Sequence, residues 1–299
     1  MSICRVAVLV VAALAATAYA QSATDADYNG SIEKWRLERE AALKADDGFL
    51  TVAGLFFLPE GPNTFGADPM NDIVLPSGPA EAGVFEHRAG VTTVKLPEGS
   101  PATINGKPIR EMILKPDSAE GGPDRVVIGD LTLFVHSSGR RQAIRLRDKN
   151  SRIRREFTGC RWFPIDQSYR VEGRFISYDA PKPVQLLNIL GDLEDFKSPG
   201  LVAFKLHGRE IRMEPVLSSR GRYWFVFRDQ TSGKETYGAA RFVYADAPGA
   251  DGKVVIDFNR AYNPPCAFNP HTTCPLPSPQ NRLPVPIRAG ELDYRSPIG

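Results

Sequence analysis

Apolar positions follow two different periods along the chain, and the change falls near Gly48. Ile32, Trp35, Leu37, Ala41, Ala42 and Leu43 recur at helical spacing among charged residues, with Ser31 placed to cap and Asp46-Asp47-Gly48 placed to stop. The pattern predicts one amphipathic helix over Ser31–Asp47, whose stripe faces a core rather than a partner. From Phe49 onward, short apolar runs are punctuated by Gly, Pro, Asn and Asp at the spacing of sandwiches and barrels. Predicted strands are Thr51–Phe57, Asp72–Leu75, Gly83–Arg88, Thr92–Leu96, Ala102–Ile104, Arg125–Ile128, Leu131–Ser137 and Gln142–Asp148. Further strands are predicted at Tyr169–Tyr178, Val184–Leu190, Ala203–Leu206, Ile211–Val216, Tyr223–Arg228, Thr236–Tyr244 and Val254–Phe258.

Between Gly54 and Ser137 the run GPNTFGADPMNDIVLPSG, then ATINGKPI and VVIGDLTLFVHS, resembles a forkhead-associated sandwich. Asn105-Gly106 has an independent physical meaning, because a type I′ hairpin turn needs positive φ at both central residues. The phosphopeptide-binding chemistry that the resemblance implies is missing: Gly66-Ala67 stands where Gly-Arg is needed, and Val84 replaces the serine, leaving His87 alone. Without that guanidinium and hydroxyl a phosphate has no bidentate partner, so a scaffold use is expected, with His87 structural.

The second half carries Asp257-Phe258-Asn259, Tyr262-Asn263-Pro264-Pro265-Cys266-Ala267-Phe268, Cys274-Pro275-Leu276-Pro277 and Asn281-Arg282-Leu283. These motifs resemble the domain-of-unknown-function family numbered 1684, over a stretch from Trp35 to Glu291. His271 and Gln280 depart from the family's wording. The resemblance implies no activity, cofactor or substrate.

The predicted architecture is mainly β: an N-terminal helix, a forkhead-associated-like β-sandwich, then a larger antiparallel β domain with a Pro-rich C-terminal lid. Residues 1–20 read as a signal peptide, 21–48 as linker and helical arm, 49–138 as the sandwich and 139–299 as the C-terminal domain. The leader rests on Arg5, the apolar Val6–Ala16 and the small-x-small Ala18-Tyr19-Ala20, with cleavage expected after Ala20. The protein is therefore expected to be exported, periplasmic or secreted, with no membrane span after cleavage, and to be a monomer. With 37 Lys+Arg against 35 Asp+Glu, charge offers no argument for nucleic acid or an anionic surface. No GxGxxG, Walker loop, GxSxG, HExxH or paired CxxC occurs, so no cofactor or metal is expected.

Eight prolines fall between Pro264 and Pro286, where neither helix nor central strand can form. Cys266 and Cys274 could close a small loop by a disulfide, worth about 2–3 kcal/mol in the chain-entropy model. Free thiols, a nucleophilic Cys266 with His271 as base, and a metal site on Cys266, Cys274 and His271 compete with it, although C-x7-C with one histidine is not a recurrent zinc spacing. Strand alternation sends Asp257 and Asn259 to one face, either to pin the loop or to meet a ligand. Tyr237 and Arg241 share a face if Thr236–Tyr244 is a strand, for ligand binding or as half of a buried ion pair near Asp229. The basic run Arg145, Arg147, Arg152, Arg154 and Arg155 reads as a solvated face or, if it lines one mouth with Trp162 and Tyr237, as a site for an anionic or sugar-like ligand. A pocket under the lid is expected from Tyr237, Arg241, Asp257, Asn259, Tyr262, Asn263 and Arg282, for a small polar ligand, peptide or envelope component. The alternative is a hydrolase using a carboxylate or Cys266 there.

Overall fold

The computed structural model describes residues 25–295, and the expected leader lies outside them. Helix α1 occupies residues 25–44. Ser31 is consequently interior rather than a cap, and its hydroxyl donates to the Tyr28 carbonyl at 2.7 Å. Asp25 and Asp27 sit in the first described turn, where carboxylates favour a helix N-terminus. Ile32 and Leu43 are buried as the stripe predicts, but Leu37 is 71 % exposed. Two arginines take part in the packed face instead: Arg36 donates to the Phe163 carbonyl and Arg39 to that of Asn263, both at 2.9 Å.

Strands β1 (Val52–Phe57), β2 (Gly61–Gly66), β3 (Ile73–Val74), β4 (Gly83–Arg88), β5 (Val91–Lys95), β6 (Thr103–Ile104), β7 (Glu111–Ile113), β8 (Val126–Ile128), β9 (Leu131–Ser138) and β10 (Arg141–Asp148) form two five-stranded sheets. Their orders are β1-β10-β9-β8-β6 and β3-β2-β4-β5-β7, antiparallel except for the β2–β3 pair. Phe65 and Phe85 stack at 4.4 Å in the core between them, beside Ile104, Leu133 and Ile144. Asn105 and Gly106 have φ of 51° and 76°, and Ile104 and Lys107 exchange backbone hydrogen bonds across them, as the turn signal requires. His87 is buried with its Nδ1 3.0 Å from the Thr92 hydroxyl. The boundary expected at 138 falls in the β9–β10 hairpin, and β10 pairs with β1 and β9 on its two sides. An internal strand cannot leave without breaking both ladders.

The helical turn α2 (Arg152–Arg155) leads to β11 (Arg170–Leu187), β12 (Leu193–Leu206), β13 (Arg209–Met213), β14 (Val216–Leu217), β15 (Tyr223–Phe227), β16 (Arg241–Ala245) and β17 (Lys253–Asp257). These form sheets ordered β13-β12-β11-β17 and β14-β15-β16. The two strands predicted over 169–190 are one long strand whose register shifts between Ser177 and Lys182, where Asp179-Ala180-Pro181 bulges out. The predicted strand Thr236–Tyr244 begins only at Arg241, because Thr231, Gly233 and Thr236 close a turn on one another. Along β15, Tyr223, Phe225 and Phe227 enter the main core while Trp224 and Val226 face a second cluster; β16 divides Val243 and Ala245 from Phe242 in the same way.

The Pro-rich segment threads into this architecture rather than lying over its end. Leu283, Val285, Ile287 and Ala289 belong to the main core. Arg241 is fully buried, pairs with Asp229 at 2.8 Å and donates to the carbonyls of Ile287 and Ala289. Asp229 also accepts from the Thr231 hydroxyl and N–H and from the Ile287 N–H. The expected buried ion pair thus exists, and it clamps the segment's backbone. The basic run is not a uniform solvated face: Arg145 is 6 % exposed, with burial pushing its guanidinium down to about 10, and Arg147 reaches the Asp47 and Gly48 carbonyls. Cys266 and Cys274 are joined, their Cα atoms 6.3 Å apart.

Two outcomes follow from this packing. Protein cut after Ala20, denatured without reductant, titrates one thiol, that of Cys160, and three after reduction; three at the outset would remove the crosslink. Arg241→Met, which strands the buried Asp229 carboxylate, lowers unfolding free energy in urea by about 3–5 kcal/mol; a change below about 1 kcal/mol would refute the clamp.

Candidate functional site

A cleft of about 610 Å³ opens between α1, the β15–β16 edge and the Pro-rich segment. Strand alternation supplies Trp224 from β15 and Phe242 and Tyr244 from β16, while α1 contributes Trp35 and the start of the Pro-rich segment contributes Tyr262. Trp224 meets Phe242 edge-on at 4.8 Å, Tyr244 stacks with Tyr262 at 6.2 Å, and Trp35 lies 6.4 Å from Tyr262. The rings form one connected wall. Burial, followed by the neighbouring Tyr244, pushes the Tyr262 hydroxyl well above its usual value, so it stays a neutral donor. Arg220 stands exposed at the mouth, without an ion pair among the described residues.

Behind Tyr262 lies a buried charge cluster. The Arg39 guanidinium packs 4.6 Å from the Tyr262 ring centre, and its Nε is 3.8 Å from the Glu291 carboxylate. Glu291 accepts from the Asn263 N–H at 3.0 Å and its Nδ2 at 3.1 Å. Burial raises the Glu291 carboxyl above the usual range despite Arg39. Burial, with Glu291 beside it, also pushes the Cys160 thiol far up, so Cys160 is a poor nucleophile.

At the other side of the cleft a polar chain joins the sandwich to the Pro-rich segment. Asp117 Oδ2 is 2.6 Å from His136 Nδ1, and His136 Nε2 is 2.9 Å from the Thr273 hydroxyl. Arg145 donates to the same hydroxyl at 3.2 Å. Thr273 lines the cleft. Burial alone would raise the Asp117 carboxyl, but the His136 hydrogen bond and charge, the Ser137 N–H and Arg145 outweigh it and hold the group below its ordinary value.

Of the seven residues expected to form a pocket, Tyr262 alone lines this cleft. Arg241 is consumed by the clamp, and Tyr237, off its strand, donates its hydroxyl to the Cys266 carbonyl at 3.3 Å. Asp257 caps the turn after β17 by accepting from the Asn259 N–H, and Tyr28 donates to it from α1; Asn259 itself bridges to the Asp166 carbonyl and N–H. Asn263 is held by Glu291, and the Arg282 side chain is exposed and does not line the cleft. Cys266, bonded to Cys274, has no thiol to offer. Among the described residues no group of three or more His, Cys, Asp or Glu is placed to hold a metal ion, and no helix is long and apolar enough to cross a membrane. Sequence reasoning missed Trp35 and Trp224 as site residues and the whole Asp117–His136–Thr273 chain. The tryptophans carry the weak signal of large aromatics; the chain carries none, because its members lie in three separate segments.

The sign of the Asp117 shift gives a test. Its stabilising contribution is complete above the unfolded value near ~4 and is lost as pH falls through the lower folded value. Thermal unfolding followed by circular dichroism should show D117N less stable than wild type at neutral pH, with the gap closing in acid. A gap that persists or widens in acid would contradict this.

No curated protein matches the chain. Among solved structures the chain is similar to an uncharacterized protein of Haloarcula marismortui, solved in solution by NMR, at 28% identity over 46% of this chain and 78% of that one, with a TM-score of 0.40. It is also similar, over 31% of its length, to two forkhead-associated domains. One was studied for phosphothreonine-dependent interactions (19% identity, 92% of that chain, TM-score 0.22). The other is the FhaA domain in complex with an intracellular domain of a second protein (18% identity, 97% of that chain, TM-score 0.22). Residues 155–292 match the family described as Protein of unknown function (DUF1684), a shorter span than the motifs from Trp35 onward suggest, and over that stretch the chain resembles this family.

Proposed function

We propose that the protein is an exported binding module whose aromatic cleft takes a small ring-bearing molecule with a hydroxyl or anionic substituent. The observation that carries this reading is the convergence of Trp35, Trp224, Phe242, Tyr244 and Tyr262 on one cleft of about 610 Å³, a volume within the range of small-molecule sites. Aromatic faces stack on planar rings and on the apolar faces of sugars. Arg220 at the mouth supplies a cation for a carboxylate or phosphate, and the Tyr244 hydroxyl, which accepts from Tyr262, supplies a donor. The export setting rests on the leader pattern at residues 1–20. The small polar ligand expected under the lid is thereby narrowed to one with a stacking face.

Trp35 and Trp224 make the cleft its own reporter. Titrating the mature protein with aryl carboxylates and aryl glycosides should quench tryptophan emission saturably, and W224A should weaken the best ligand by about tenfold or more, the loss of one stacked ring. R282A and Y237F should bind as wild type does. Equal loss in R282A would move the site back to the residues expected from sequence, and no saturable quenching by either class would end the proposal.

A further inference from the structure

With the His136 ring neutral, the Asp117–His136–Thr273 chain runs in one direction. Arg145 can only donate, so its hydrogen bond uses a lone pair of the Thr273 oxygen. An ionised Asp117 can only accept, so His136 Nδ1 carries a proton, and in the neutral ring Nε2 is left as the acceptor. In that state the Thr273 hydroxyl donates to Nε2. A hydroxyl donating to an imidazole that is oriented by a carboxylate is the arrangement that activates an oxygen nucleophile, whatever the order of residues in the chain.

We propose that Thr273 is an acyl-transfer nucleophile for esters whose ring portion occupies the cleft. Thr273 sits on the cleft wall next to Cys274, whose crosslink to Cys266 holds the backbone there. The Thr273 oxygen attacks the ester carbonyl carbon while its proton passes to His136 Nε2. The tetrahedral oxyanion forms beside the Arg145 guanidinium, the donor nearest the attacking oxygen. Collapse breaks the bond to the alkoxy or aryloxy oxygen, which leaves with the proton from His136. Water, deprotonated by His136, then attacks the acyl-threonine; the carboxylic acid departs and the hydroxyl is restored. Asp117 remains an anion throughout and acts as a positioning residue.

The substrate's ring rests on the proposed ligand reading, whereas the nucleophile does not, and p-nitrophenyl acetate separates the two. Wild-type mature protein should release p-nitrophenolate, and acid-quenched samples should carry an acetyl group on the peptide containing Thr273. T273S should still form the adduct, now at the serine, while T273V and H136Q should lose turnover by about a hundredfold or more. Because the adduct is mapped in the wild-type protein, the outcome does not depend on any variant folding. Turnover no faster than in buffer, acetylation at other residues alone, or full activity in folded T273V would each overturn the proposal and leave ring binding standing. Acetylation of Thr273 without saturable quenching by ring compounds would support the nucleophile and remove the ligand reading.

Discussion

A backbone crowded with prolines cannot satisfy its own polar groups, and that constraint organises the second half of the molecule. Each proline lacks an N–H and blocks a regular ladder, so the remaining carbonyls and amides from Pro264 to Ala289 need partners from elsewhere. Arg241 supplies two of them, and the segment's own buried side chains tie it to backbone elsewhere. Asn281 donates to the Glu214 and Val226 carbonyls and accepts from the Glu214 N–H. Asn269 reaches the Val52 carbonyl in the sandwich at 2.6 Å, and Arg241 takes the carbonyls of Ile287 and Ala289. The amide side chain suits this role because it both donates and accepts. Asn259, Asn269 and Asn281 are each at most 4 % exposed, which such pairing makes tolerable.

Fixing this segment also fixes the cleft. Tyr262, Pro265, Thr273 and Pro275 on its wall all belong to the pinned stretch, and α1 closes the opposite side through Trp35 and Arg39. The Arg39–Glu291–Asn263 cluster behind Tyr262 links helix, first turn and chain end in one buried network. Charges buried this deeply cost desolvation energy, and losing any one partner would leave another stranded. A wall built on such a network holds its shape before any ligand arrives, which lowers the ordering cost of binding.

Beside the apolar cluster of Leu43, Leu50 and Phe268, polar contacts join the sandwich to the rest of the molecule. Besides the His136–Thr273 contact, Ser138 donates to Asp192 at 2.6 Å, Asn188 donates to Ser138 at 2.9 Å, and Arg141 pairs with Asp192. Directional contacts of this kind set relative placement closely, and Thr273 meets His136 and Arg145 at such a junction.

The local determinants were legible in the chain itself. Helical spacing announced α1, Asn105-Gly106 announced its hairpin, and the prolines between Pro264 and Pro286 announced irregular backbone, because each depends on φ, ψ and side-chain period alone. The resemblance to the family of unknown function was also legible in the motifs around Asn259, Asn263 and Asn281. The tertiary structure decided which polar residues face a ligand and which hold the fold. Asp257, Asn259, Asn263 and Arg241 look alike in either role, since a buried amide or guanidinium is chemically suited to both, and only the partners it meets across the core distinguish them. His136 and Thr273 are 137 positions apart, and no local rule connects them; their meeting depends on how the sandwich docks against the threaded segment.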